Sequence, residues 1–242
     1  MKLKKLVAIT LSAVMCMAAL TGCGGKSDSA KKTAKVIEVD LTDEQYAFGV
    51  DKDQPDLLKE VNQFVKDMKS DGTFDEICNR YFGDGTPVPV KSAAYDESKD
   101  QLVVATNAAF EPFEYMDGEN YVGIDMEIAK ALADKLGKEL VIQNMDFDAV
   151  CLSVGQHKCD VAMAGLTIKP DREEYVAFSD PYYSASQKLI TLSTDTEFDA
   201  CKTADDVNKI LEAKGSDLKI GFQNGTTCLL YTSPSPRDIS GS

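Results

Sequence analysis

The sequence predicts an α/β fold built on a parallel sheet, and three observations carry that prediction. Gln101–Thr106, Glu139–Gln143 and Cys159–Ala164 are short, apolar in the middle and poorly alternating, as strands buried on both faces are. Between them, Gly123 precedes a helical stripe of Ile128, Ala129, Leu132 and Leu136 ended by Gly137, and Asp148–Gln156 reads as a second helix. Strand, helix, strand, helix, strand is a parallel α/β unit. Ligands of such sheets bind beyond the carboxyl ends of the strands, which places Asn107, Phe110, Phe147, Gly165 and Thr167 around one cleft.

The chain opens with a targeting segment. Lys2, Lys4 and Lys5 precede a mostly apolar run from Leu6 to Leu20 that is too short for a comfortable membrane span. Leu20-Thr21-Gly22-Cys23 resembles the lipobox of bacterial lipoproteins, which implies a signal peptide over 1–22 and lipidation of Cys23. Residues 23–35 are rich in Gly, Ser, Lys and Ala and read as a tether. Val36–Asp40 and Tyr46–Val50 are short strand-like runs, and Lys52-Asp53-Gln54-Pro55 is a turn. Pro55 opens a helix striped by Leu57, Leu58, Val61, Phe64, Val65 and Met68. Gly72 ends it, and Thr73 with Glu76 fits a capping box for a shorter helix over Phe74–Phe82. Gly85–Lys99 reads as a linker. Further on, Leu189–Ser193 is strand-like, Glu197–Ala213 contains a helix, and Lys219–Phe222 reads as a strand before the turn Asn224-Gly225-Thr226-Thr227.

Composition narrows the function. Lys and Arg total 26 against 40 Asp and Glu, a formal net charge of −14. That balance argues against nucleic acid as a partner. Hydrophobic residues make up 43% of the 242, enough for a sizeable core. Of seven cysteines, Cys16 lies in the signal and Cys23 at the lipobox. Cys151 and Cys159 are too far apart along a helix axis to bridge. His157 is the single histidine and the spacing suits no zinc site, so neither a metal nor a cofactor is expected. His157 reads as a plain surface residue.

The most informative stretch is Asp160–Tyr183, DVAMAGLTIKPDREEYVAFSDPYY. Its strand ends at Gly165, where the backbone can approach a ligand closely. Thr167 offers a hydroxyl, Pro170 suits the start of a short helix, and Arg172 follows in its first turn. An amide, a hydroxyl and a guanidinium fork can converge on a small carboxylate. A strand, a turn and a solvated surface arginine would leave the same pattern. AGLTIKPDREEYVAFSDPYY resembles the core motif of the family 3 extracellular solute-binding proteins, the amino-acid receptors of ABC importers.

That resemblance implies a periplasmic-binding-protein-like (type II) fold of two lobes that close on a free amino acid. It implies that Arg172 holds the ligand's α-carboxylate, with Gly165 and Thr167 adding contacts, and that Phe110 and Phe147 stack on the ligand. Thr226 and Thr227, in the turn usually written GTT, bring donors from the second lobe. Asn107 stands where an Asp is common, which weakens the case for a strongly cationic ligand, although Glu111 is nearby. The resemblance further implies an ABC permease as partner, an extracytoplasmic protein held at the membrane by its lipid, a monomer, and no catalytic residue. An enzyme on the same fold, resembling a cyclohexadienyl dehydratase, and an extracellular amino-acid sensor domain are the alternatives.

The order of segments departs from the family. QYAFGVDKDQPDLLKEVNQFVKDMKSDGTFDEICNRYFGDG, which begins at Gln45, resembles the family's C-terminal end, yet it comes first, and Gln101 onward resembles the family's N-terminus. Read as a permutation, residues 36–193 form a nearly complete first lobe, 36–84 joined to 101–193, and 194–227 begin a second lobe that is mostly missing. A fragment of a tandem duplication is the other reading. CLLYTSPSPRD, Cys228–Asp238, does not continue the resemblance, and 228–242 are read as a non-native tail, resembling translated sequencing adapter.

Overall fold

The computed structural model describes residues 33–215, 218–223 and 225–227. Strands β1 (Ala34–Val36), β2 (Glu44–Tyr46) and β3 (Gly49–Asp51) precede helices α1 (Pro55–Ser70) and α2 (Thr73–Phe82). The central unit is β4 (Gln101–Thr106), β5 (Ala109–Phe110), β6 (Glu114–Asp117), β7 (Asn120–Val122), α3 (Ile124–Leu136), β8 (Glu139–Asn144), α4 (Phe147–Gly155) and β9 (Val161–Ala162). Then come α5 (Pro170–Glu173), β10 (Val176–Phe178), β11 (Tyr183–Ala185), β12 (Ile190–Leu192) and α6 (Ala204–Lys214). Signal peptide, Cys23 and the segment from Cys228 onward lie outside the described residues.

Five strands make the main sheet in the order β10-β3-β9-β4-β8. β4 runs parallel to β8 and β9, while β3 is antiparallel to its neighbours β9 and β10. Every residue of β4 is buried, and its alternation sorts two cores. Leu102 and Val104 join Leu140, Ile142 and Val161 against α1 and α3. Val103 and Ala105 join Val141 and Ala162 against α4, through Val150, Cys151 and Val154. The fold is thus mixed α/β with helices on both faces of the sheet. Helix α1 buries Val61, Phe64, Val65 and Met68 of its predicted stripe. At Gly123, before α3, φ is +134° and an added Cβ would lie 2.1 Å from the Phe113 carbonyl oxygen, so only glycine fits.

Several expectations need correcting. Tyr46–Val50 is not one strand, because the Ala47 and Phe48 amides turn to Leu166 O and Ser179 Oγ, leaving β2 and β3 in different sheets. The box at Thr73 and Glu76 does not form. Gly72 caps α2 in the left-handed region, and the Asp71 carboxylate accepts the Thr73 amide at 2.9 Å. A reciprocal capping box does form at α6, between Thr203 and Asp206. Lys219–Phe222 has no ladder partner among the described residues and is no strand. His157 lies on the surface just past α4, as expected, and it has a partner there. Its Nδ1 lies 2.8 Å from the buried Asp51 carboxylate, and that hydrogen bond raises its pKa.

The packing also draws one boundary differently. β1 pairs with β12, and Ile37 and Val39 bury themselves with Phe198, Val207 and Leu211 in a third, smaller cluster. Residues 34–41 therefore sit with the 189–220 segment and not with the main sheet. Two connections, leading into β2 and out of β11, join the larger body to the smaller one, and β11 pairs antiparallel with β2 between them.

Candidate functional site

At the carboxyl end of β9, the chain turns through Gly165 into α5, where Pro170 starts a single helical turn that carries Arg172. Arg172 is only 8% exposed. Its guanidinium donates to the Thr167 carbonyl at 2.8 Å and to the Gly225 carbonyl at 3.0 Å. The Phe147 ring, at the start of α4, lies 5.1 Å from the guanidinium carbon in cation–π range. Among the described residues no carboxylate forms an ion pair with this arginine. Burial pushes its pKa down, outweighing nearby negative groups.

Sequence reasoning missed Glu44, which organises the same place. Glu44 is 4% exposed, and its carboxylate accepts from Thr42 Oγ1 at 2.9 Å, Thr167 Oγ1 at 2.6 Å and Thr227 Oγ1 at 2.7 Å. Gln187 hydrogen-bonds to it as well. Burial alone would raise the pKa of Glu44, yet these donors together bring it below the ordinary value. A closed ring results: Glu44 fixes Thr167, the Thr167 carbonyl fixes Arg172, Arg172 holds Gly225, and Thr227 returns to Glu44.

The remaining predicted site residues fall around this ring. Phe110 is 39% exposed, stacked on Phe113 at 5.5 Å, and touches the position a Cβ on Gly165 would take. Asn107 donates to the Met145 carbonyl and accepts from Gln223. Thr226 is a neighbour of the ring only, its hydroxyl donating to Gln223 O at 2.7 Å. Gly225 packs on α4 so tightly that an added Cβ would fall 1.8 Å from Asp148 Oδ1.

Three expected donors are already used. The Gly165 amide, expected to face a ligand, donates to Asp125 Oδ2 at 2.9 Å, beneath the site. The hydroxyls of Thr167 and Thr227 point to Glu44. Asp125 is fully buried and also accepts from Tyr182 OH at 2.6 Å. Burial raises its pKa to about 6 even against those two hydrogen bonds. Glu114 beside it is also fully buried, and neither carboxyl oxygen has a hydrogen-bond partner among the described residues. Burial, with the Asp125 charge second, holds the Glu114 carboxyl well above the usual carboxylate range.

The sequence profile of the bacterial extracellular solute-binding proteins, family 3, matches residues 8–84 and 102–227, leaving out the linker between. The arginine-binding extracellular protein ArtP of Bacillus subtilis (strain 168) is 40% identical over 96 residues, 40% of this chain and 38% of that protein. ABC transporter arginine-binding protein 1 of Escherichia coli (strain K12) is 33% identical over 133 residues, 54% of this chain and 49% of its own length. A cyclohexadienyl dehydratase of Pseudomonas aeruginosa is 31% identical over 127 residues, 51% of this chain and 47% of that enzyme. The chain spans less than half the length of each of these relatives. With the profile covering most of its residues, the chain belongs to the bacterial extracellular solute-binding proteins of family 3.

Proposed function

We propose that this chain is the extracytoplasmic, lipid-anchored binding protein of an ABC-type amino-acid importer, and that Arg172 receives the α-carboxylate of a free amino acid. The buried guanidinium carries this reading. A buried charge is costly unless paired, and Arg172 rests on two carbonyl oxygens and one aromatic face, with no carboxylate bonded to it among the described residues. The ligand's carboxylate would supply the missing anion. Phe110 offers its exposed ring beside Gly165 as an apolar platform for the ligand's side chain. The segment 225–227 supplies the second wall, and lobe closure would present the loaded form to the permease. Arginine is the first ligand to test, because relatives named for binding it match this chain.

The dehydratase relative gives the enzymatic reading its one support. Dehydration needs a general acid or base within reach of the substrate. Among the described residues, the carboxyls with raised pKa values are Glu114 and Asp125, and both are fully buried, which supports the binding reading.

The test is calorimetric titration of the 242-residue chain with a panel of free amino acids, repeated with Arg172→Lys. Lysine keeps the charge and loses the fork, so affinity should fall by about 1.5–3 kcal/mol. Unchanged affinity would remove Arg172 from the site. Turnover of a cyclic amino-acid precursor without stable binding would favour the dehydratase.

A further inference from the structure

A second cavity, of about 630 Å³, opens between the two connections that join the larger and smaller bodies. Its walls are aromatic. Tyr46, Phe82, Phe110 and Tyr183 surround Phe113, with centroids 5.3, 6.5, 5.5 and 5.1 Å from it. Phe82 and Tyr183 also stack on each other at 6.1 Å. Phe82 is 40% exposed and lines this wall. The rim is made by Asp40, Thr42, Asp43 and the Ser184–Ser186 stretch, and among the described residues no lysine or arginine lines the cavity. Asp40 bonds Ser186 Oγ at 2.7 Å and lies 3.7 Å from Lys188, whereas Asp43 forms no ion pair among the described residues.

We propose that this cavity is a binding site for a small alkylammonium cation, seated on the exposed Phe82 ring with its charge toward Asp43. Aromatic faces carry the negative end of a quadrupole and attract cations that shed their water easily. A neutral apolar guest would gain from the rings and nothing from the acids. A strongly hydrated cation such as ammonium would gain from the acids and little from the rings. Only an alkylated cation uses both. The site shares Phe110 with the cleft at Arg172 and uses neither Arg172 nor Glu44, so it stands independently of the amino-acid reading. It lies where β11 and β2 pair between the two bodies, so a bound cation would bear on their relative movement.

The experiment follows the amide signals of Ser184–Ser186 by NMR in the full chain during titration with tetramethylammonium chloride. Neopentyl alcohol, of the same shape and uncharged, and ammonium chloride are the controls. Tetramethylammonium should shift these signals saturably, and neopentyl alcohol should bind at least about tenfold more weakly. Phe82→Leu and Asp43→Asn should each weaken tetramethylammonium several-fold, with melting temperatures showing that both variants fold, and Arg172→Met should leave it unchanged. Equal binding of neopentyl alcohol, shifts indifferent to both variants, or no saturable shift would each overturn the proposal. Loss of amino-acid binding alone would leave this result untouched.

Discussion

Neutralising Glu44 isolates what the ring around Arg172 contributes. Three threonine hydroxyls donate to its carboxylate, two of them at 2.6 and 2.7 Å. A hydrogen bond to a charged acceptor contributes about 1.5–3 kcal/mol, and one between neutral groups about 0.5–1.5 kcal/mol. Glu44→Gln keeps the shape, removes the charge and replaces one accepting oxygen with a donor. Weakening three bonds in this way should destabilise the fold by about 2–4 kcal/mol, or about 5–15 °C in melting temperature for a chain of this size. Thermal melts followed by circular dichroism at pH 7 would measure it. The pKa of Glu44 is lowered in the folded state, so its stabilisation is present above the ordinary carboxylate value and is lost as pH falls through the folded one. The gap between wild type and variant should therefore narrow in acid. A Gln variant as stable as wild type at pH 7, or a gap that widens on acidification, would refute the ring as a stabilising device.

Asp125 predicts the opposite pH trend. Its pKa is raised to about 6, so the stability of its protonated form is full below the ordinary value and declines as pH rises toward 6. Asp125→Asn should gain on wild type by about 3 kcal/mol between pH 4 and pH 7 in denaturant titrations. Gly123→Ala, forced toward the Phe113 carbonyl at a positive φ, should cost more than about 2 kcal/mol and leave little folded protein at 37 °C by the same melts. If Cys23 carries a lipid, Cys23→Ser should move the protein from the membrane fraction to the soluble one on cell fractionation.

Local patterns were legible where one element decides its own shape. The stripe on α1, the apolar strands β4 and β8, and the turn from Pro170 to Arg172 all follow from short-range spacing. At Thr203 the box is formed with Asp206 three residues on, whereas the sequence reading placed that helix only within Glu197–Ala213. Glu44 was not legible. It stands among Thr42 and Asp43 like any polar edge residue, and its partners Thr167 and Thr227 lie 123 and 183 positions away. Asp125 looked like an ordinary acid in a helix's first turn, where the dipole favours one. That it is sealed under Gly165 depends on Tyr182, which only the tertiary fold brings there. Donors that seemed free in the sequence are spent on these two carboxylates.

The place of β3 sets an order of events for the growing chain. It lies between β9 and β10 in the sheet, yet it is synthesised about a hundred residues before either. Until Val161 emerges, β3 has no strand to pair with, and until β4 and α3 emerge the apolar stripe of α1 has neither to cover it. The first-made hairpin of helices must therefore wait exposed, which favours slow folding through long-range closure and invites association with other chains. A chain whose oldest segment cannot settle early stays in a threadable state. Were the chain exported unfolded, a first-made strand that waits for its neighbours would keep it open for that passage.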